Sequence, residues 1–280
     1  MRPLVILGPT GAGKTDHALR LAARYGATVV SMDAMQVYRG MDIGTAKVSR
    51  ADRARVPHRC IDVRDPDEGW SAADFVTEAD GVAGPVILTG GTTFYFRAWE
   101  RGLVPTPAAD PALRATLEAL PDPHAALAII DPVLAARLHP NDRVRVLRGL
   151  EVFHQTGRPL SALHAEDPQA RRPAEVVWVD REDLYEGLDR RVDQMMADGC
   201  LDEVRALLDA GYSRALKPMR SLGYRHLAAH LAGEVALDEA VRLTKRDTRH
   251  FARKQRGFLR AGGFSPGGDL EEAARRAFRD

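Results

Sequence analysis

The sequence contains only two cysteines in 280 residues, Cys60 and Cys200, with no CxxC pair and no Cys/His cluster. That excludes a disulfide-stapled scaffold and argues against a zinc site. No apolar run approaches the roughly 20 residues a membrane-crossing helix needs. The N-terminal run Leu4-Val5-Ile6-Leu7 is too short for the apolar core of a secretion signal, so a cytoplasmic location is expected. Neither sign of charge dominates: 40 basic and 39 acidic residues leave a net charge of +1. Any hold on an anionic polymer must therefore come from a local patch. Lysine is scarce, at positions 14, 47, 217, 245 and 254 only, and the other basic residues are arginine. The chain has no internal repeat and no low-complexity tail. Its 45% hydrophobic and 28% charged residues suit a folded soluble chain rather than a disordered or coiled-coil one.

Short β-rich runs alternate with helical stretches. Leu4 to Leu7, Thr28 to Ser31, Pro85 to Thr89 and Glu175 to Asp180 read as four buried strands, and Thr15 to Tyr25 as a helix stopped by Gly26. That alternation predicts an α/β fold with a parallel sheet and right-handed crossovers. From about Pro105 to Pro173 the strand pattern stops. Helical pieces at Pro111–Leu120, Pro132–Leu138 and Arg143–Thr156 indicate a helical insertion at 105–173, carried by a core of residues 1–104 and 174–280. Ligands of such sheets bind beyond the carboxyl ends of the strands, and Gly8, Asp33 and Thr92 each follow a predicted strand end.

The sharpest local signal is Gly8-Pro9-Thr10-Gly11-Ala12-Gly13-Lys14-Thr15. It fits G-x-x-x-x-G-K-[ST] between a strand and a helix, the context this phosphate-binding motif requires. Glycines let backbone amides converge on phosphate oxygens, the helix N-terminus adds positive potential, Lys14 adds a mobile charge and Thr15 can ligate Mg²⁺. A di- or triphosphate is the expected ligand, and the loop does not say which. Asp33 opens a polar, glycine-punctuated stretch that runs to Lys47. Its position allows three roles: a carboxylate holding metal through water, a base taking a proton from substrate, or the N-cap of a following helix.

Together, GPTGAGKT and DAMQVYRGMDIGTAK resemble the tRNA dimethylallyltransferase (isopentenyl-tRNA transferase) family. The likeness continues, in order, through VPHRCIDVRDPDEGWSAADF, GGTTFYFRA, HPNDRVRVLRGLEVFHQTGRPL, LDRRVDQMMADG and MRSLGYR, and so covers nearly the whole chain. The resemblance implies a P-loop NTPase-like core with an inserted small helical domain that contacts tRNA. It implies a dimethylallyl diphosphate donor with its diphosphate in the glycine loop, Mg²⁺ as cofactor, and the exocyclic amine of the adenosine 3′ to the anticodon as acceptor. Asp33 then matches the family's general base, Arg191 its diphosphate-contacting arginine and Thr92 a substrate contact. Without the family, Arg191 reads as a solvated helix residue or the partner of Asp189 or Glu186, and Thr92 as an ordinary turn hydroxyl. The expected partners are tRNA and dimethylallyl diphosphate, with no membrane, and the chain is expected to act as a monomer. Ala34, Arg59, Gly187 and Phe258 depart from the family's usual serine, histidine, arginine and tryptophan.

The expected RNA contacts are Asp33, Ala34, Met35, Gln36 and Thr92 near the base, and Arg114, Val144, Arg145, Val146, Leu147 and Arg148 in the insertion. Arg220, Ser221, Leu222, Gly223, Tyr224 and Arg225 complete the set. Arg143, Arg145 and Arg148 share one helix, and the run from Lys245 to Arg260 holds seven basic residues and one acid, Asp247. Such patches suit phosphate contacts, although a charge run also serves as an ordinary solvated face. The target base is expected to be splayed into a pocket between core and insertion. Two rivals remain at this level: an ATP-dependent small-molecule kinase, with Asp33 or Asp180 as its metal carboxylate, and a non-catalytic nucleotide-dependent RNA-binding protein.

Overall fold

Five short strands pair side by side into one parallel sheet: β1 (Leu4–Leu7), β2 (Thr28–Ser31), β3 (His58–Arg59), β4 (Val86–Thr89) and β5 (Glu175–Trp178), in the order β3-β2-β4-β1-β5. The structure is a computed structural model that describes residues 1–166 and 171–278. Residues 167–170 of the expected insertion and 279–280 of the expected core lie outside the described residues. The helices are α1 (Lys14–Tyr25), α2 (Arg50–Arg55), α3 (Ala72–Asp80), α4 (Thr93–Arg101), α5 (Pro111–Glu118), α6 (Pro123–Ile130), α7 (Pro132–Ala135), α8 (Arg143–Thr156), α9 (Leu160–Glu166), α10 (Leu184–Ala197), α11 (Cys200–Asp209), α12 (Tyr224–Leu231), α13 (Leu237–Ala261) and α14 (Leu270–Phe278). The chain divides into two compact units, residues 1–100 with 172–280, and residues 101–171.

The first unit holds the sheet. Strand side chains alternate between its two faces: Leu4, Ile6, Val29 and Ile87 pack with Ala18 and Leu21 of α1 and the alanines of α14. Val5, Leu7, Val30 and Leu88 pack on the opposite face with Phe75, Tyr95, Phe96 and Trp99. Burial on both faces is what a parallel sheet demands, and it explains why these strands read as unbroken apolar runs. Strand β3 escapes the sequence reading because two residues, one of them an exposed arginine, carry no periodicity. The β2-β4-β1 order sets the loops after these three strands along one edge, with the β4 loop in the middle and neighbouring strands about 4.8 Å apart.

The second unit is helical. Three Asp-Pro pairs each start a helix there: Asp110, Asp122 and Asp131 accept first-turn amides of α5, α6 and α7, with proline at the first helical position. Each such cap stabilises by about 1 kcal/mol. The Asp122-Pro123 pair was the available signal for α6, which the sequence reading lacks. The core is Leu117, Leu127, Ala135, Val146, Leu147 and Leu150. Val146 and Leu147, expected to touch RNA, are 1% and 3% exposed, because the helical period of α8 turns them inward. Their side chains belong to this unit's core.

Candidate functional site

At the exit of β1 the chain must pass close to β5. A Cβ on Gly8 would lie 2.2 Å from the carbonyl oxygen of Val179, so glycine is required there. Helix α1 then starts at Lys14 with no side chain capping its first turn, and its free amides form a ready anion site. Thr10, Gly11, Gly13, Lys14 and Thr15 line a polar cavity of about 510 Å³, with Asp33 and Arg191 also on its wall. Gly8, Pro9 and Ala12 shape the loop without facing that cavity. Lys14 is 8% exposed and donates from Nζ to the carbonyl of Pro9 at 2.7 Å. Burial first, and then repulsion from Arg191, push its ammonium down to about 8.

The β2 and β4 exits interlock. A Cβ on Gly90 would stand 2.4 Å from the Met32 backbone, and the Thr92 amide donates to the Met32 carbonyl at 2.8 Å. The Thr92 hydroxyl accepts from the Ala34 amide at 3.0 Å, which leaves its own proton free to donate. Thr92 thus bridges two turns and is more than an ordinary turn hydroxyl. Asp33 Oδ1 accepts from the amides of Met35 and Gln36 at 2.8 and 3.3 Å. No helix follows before α2, so Asp33 closes a turn and the helix-cap option falls away. Its Oδ2 accepts no hydrogen bond among the described residues.

A second cavity of about 400 Å³ adjoins the first. Its wall is mostly apolar and includes Leu188, Val192, Met195 and Met196, the stripe that α10 presents at helical spacing. Ala34, Met35, Thr92 and all of Arg220 to Arg225 also line it. Thr10, Asp33, Thr45, Arg191 and Phe251 line both cavities, so the carboxylate and the guanidinium stand where a phosphate-type cradle meets an apolar chamber. Gln36 faces only the polar side. Its amide is engaged by Ser31 at 2.9 Å and by the carbonyls of Thr45 and Ala46. The sequence reading missed Phe251, Lys217 and the methionines of α10; the 3.6-residue stripe 188-192-195-196 was the signal for the last.

Arg191 has no ion pair or hydrogen bond among the described residues. Asp189, its expected alternative partner, is held by Arg249 at 2.6 Å, and Arg190 pairs with Asp183. Burial works against the Arg191 charge, and the carboxylates of Asp33 and Asp16 support it. Gly187 leaves room that the Arg181 guanidinium borders, 3.6 Å from where a Cβ would stand, and Arg181 also lines the polar cavity.

The polar stretch from Asp42 to Lys47 is pinned from below. Glu203 accepts from the amides of Asp42 and Ile43 at 2.7 Å, from Gly44 at 3.0 Å and from the Tyr224 hydroxyl at 2.6 Å. Lys47, with a side chain 1% exposed, donates to Asp42, Asp62 and the Tyr38 carbonyl. This anchoring holds Ala46 at φ 47°, in the left-handed region. Glu203→Gln places an NH₂ group against amide donors and should lower stability by about 1–3 kcal/mol. The expected readout is a lower thermal unfolding midpoint, and an unchanged midpoint would count against the anchor.

The basic patches are less free than their sequence suggests. On α13, Lys245, Arg249 and Arg256 are paired with Asp193, Asp189 and Asp180, carboxylates distant in sequence. Asp180, a candidate metal carboxylate in the kinase reading, is thereby taken up by a two-point hydrogen bond. In the helical unit, Arg114 and Arg148 converge on the fully buried Glu151. Burial pushes that carboxyl up, but hydrogen bonds from the two arginines outweigh it and hold it low. Val144 is exposed, and Arg145 pairs with Asp142 at the surface.

The chain matches the family model described as IPP transferase over residues 36–262. It is 48% identical to tRNA dimethylallyltransferase 1 of Citrifermentans bemidjiense, over 91% of this chain and 88% of that protein. It is also 48% identical to tRNA dimethylallyltransferase of Geobacter metallireducens, over 92% and 89%. Among solved structures it resembles the tRNA isopentenylpyrophosphate transferase of Bacillus halodurans, with a TM-score of 0.63 and 34% identity over 92% of this chain and 86% of that one. A eukaryotic dimethylallyltransferase described as acting on tRNA superposes with a TM-score of 0.78 at 26% identity, covering 92% of this chain and 70% of that one. The sheet and its glycine loop are those of a P-loop NTPase-like fold, and likeness on this scale, over about nine-tenths of the chain, places it in the IPP transferase family among the tRNA dimethylallyltransferases.

Proposed function

We propose that this enzyme transfers a dimethylallyl group from dimethylallyl diphosphate to the exocyclic amine of the adenosine 3′ to the anticodon in tRNA. One observation carries the reading: Asp33 and Arg191 stand at the junction of a polar, amide-lined cavity and an apolar one. A donor with a diphosphate head and a short apolar tail fits that junction.

The purine amine is a weak nucleophile, because its lone pair is delocalised into the ring. As its nitrogen bonds the allylic carbon, the carbon–oxygen bond breaks and the electron pair leaves with diphosphate. The amine proton passes to Asp33 Oδ2, the oxygen that the turn leaves open. The loop amides, Lys14 and Arg191 stabilise the charge gathering on the leaving group. Thr92 offers its hydroxyl proton to the acceptor side. The hydroxyl of Thr15 and the carboxylates of Asp16 and Asp33 face the polar cavity, a hard-oxygen set of the kind Mg²⁺ shares with phosphate and water. Thr15 would hold that ion, which when bound neutralises diphosphate charge. Ala34, Met35 and the Arg220–Arg225 segment border the chamber that would take the extruded base. Val144 and Arg145 of the helical unit are exposed for RNA contact. A tRNA substrate supports a cytoplasmic setting.

The test is to incubate the protein with dimethylallyl diphosphate, Mg²⁺ and an anticodon stem-loop, then weigh the RNA. A gain of one prenyl group, lost when the target adenosine is replaced by uridine, is the expected result. RNA of unchanged mass overturns the reading, and phosphoryl transfer from ATP to a small acceptor, with ADP released, would favour the kinase.

A pH profile gives a further check. Lys14 is charged below about pH 8 and neutral above it, and a bound diphosphate favours the charged form. The donor KM should therefore be flat below pH 8 and rise above it, by up to about tenfold per pH unit. In Lys14→Arg the charge persists, and that rise should vanish; a wild-type KM independent of pH up to about 9.5 would show that burial does not lower the Lys14 ammonium in the free enzyme.

A further inference from the structure

A buried amide on α13 joins the two sides of this site, and no motif announces it. Gln255 is 3% exposed. Its Oε1 accepts from the Thr10 amide at 2.8 Å, and its Nε2 donates to the Gly91 carbonyl at 2.6 Å. Those backbone groups belong to separate loops, the phosphate loop after β1 and the turn after β4. Bridging them takes a side chain that is acceptor and donor at once, which a carboxylate, an ammonium or an apolar chain of the same length is not. Burial makes the pairing costly to lose, since an orphaned backbone group keeps its desolvation penalty with no partner to offset it.

The bridge lies beside the reacting groups. A Cβ on Gly91 would stand 3.0 Å from Gln255 Nε2 and 3.4 Å from Asp33 Oδ2, so the amide and the carboxylate flank the same glycine. The next residue, Thr92, holds the Ala34 amide beside Asp33. A continuous chain of short contacts thus runs from the phosphate loop through Gln255 to the wall that faces the attacking amine. We propose that Gln255 is a positioning residue that sets the distance between the diphosphate cradle and the Asp33–Thr92 wall.

The inference rests on the prenyl-transfer reading. In that reaction the nucleophile and the allylic carbon must be held about 3–3.5 Å apart, and a displacement of about 1 Å costs around 10²-fold in rate. Loss of the strut should therefore appear in the chemical step more than in RNA binding. The experiment compares wild type and Gln255→Met, an apolar chain of similar length, in single turnover at saturating donor and stem-loop RNA. RNA affinity and the thermal midpoint are measured on the same samples. The variant's rate constant should fall by about 10²-fold while RNA affinity stays within about threefold. An unchanged rate overturns the proposal, as does a rate that falls only in step with RNA affinity and the folded fraction. Should the methionine variant not fold, Gln255→Glu decides, because it keeps the length and the acceptor for Thr10 but loses the donor for Gly91. The same rate loss is expected, and a wild-type rate refutes the strut. A wild-type protein that transfers nothing overturns the transferase reading itself, whereas an active wild type with equally active variants overturns the strut alone.

Discussion

Replacing Asp33 by asparagine should slow single-turnover prenyl transfer by about 10²- to 10⁴-fold, the usual worth of a positioned general base. Asparagine is the informative choice because Asp33 does two jobs. Its Oδ1 accepts the amides of Met35 and Gln36, and an amide oxygen can take over that turn. Its Oδ2 accepts no hydrogen bond among the described residues, and there the substitution removes charge and basicity. Alanine would also free two backbone amides, at a cost of about 1–3 kcal/mol each where buried, and would mix a folding effect with a chemical one. RNA affinity of Asp33→Asn should remain near wild type, since the tRNA is bound through many other groups. A loss of RNA affinity as large as the loss of rate would reject the base assignment and leave Asp33 as a loop anchor.

How much of this was legible depends on distance along the chain. The phosphate loop is one contiguous motif between a strand and a helix, so sequence alone located Gly8 to Thr15. Asp33 and Thr92 were legible for a related reason: each follows an apolar run, and a parallel sheet gathers strand ends at one edge. Gln255 was not legible. It sits among arginines on a long helix, and its partners, Thr10 and Gly91, are brought to it only by folding. Charge patches conceal their partners in the same way. The basic run on α13 has a single acid within it, but Asp180, Asp189 and Asp193 arrive from the chain after β5 and from α10 to neutralise part of it. Arg114 and Arg148 read as free basic residues, and only the fold brings the buried Glu151 between them. Local pattern reports what a segment can do, whereas ion pairing is decided by neighbours that the segment does not contain.

Arg191 inverts that lesson, and its substitution separates a functional charge from a structural one. Every carboxylate near it in sequence is either committed elsewhere, as Asp189 is to Arg249, or leaves it unpaired. Burial opposes its charge, with only the more distant pull of Asp33 and Asp16 in support. A desolvated charge without a partner costs the folded state, so the protein alone gains nothing from this arginine. A diphosphate in the adjoining cavity would complete it with a two-point contact of the kind guanidinium makes. Arg191→Met should therefore leave the thermal midpoint unchanged or raise it, while kcat/KM for the donor falls by about 10²- to 10³-fold. Arg191→Lys should recover part of that loss, because it restores the charge but not the fork. Diphosphate added to wild type should raise the midpoint, and the methionine variant should lose most of that rise. A lower midpoint with unaltered donor kinetics would make Arg191 a structural residue and move leaving-group stabilisation onto Lys14 and the loop amides alone.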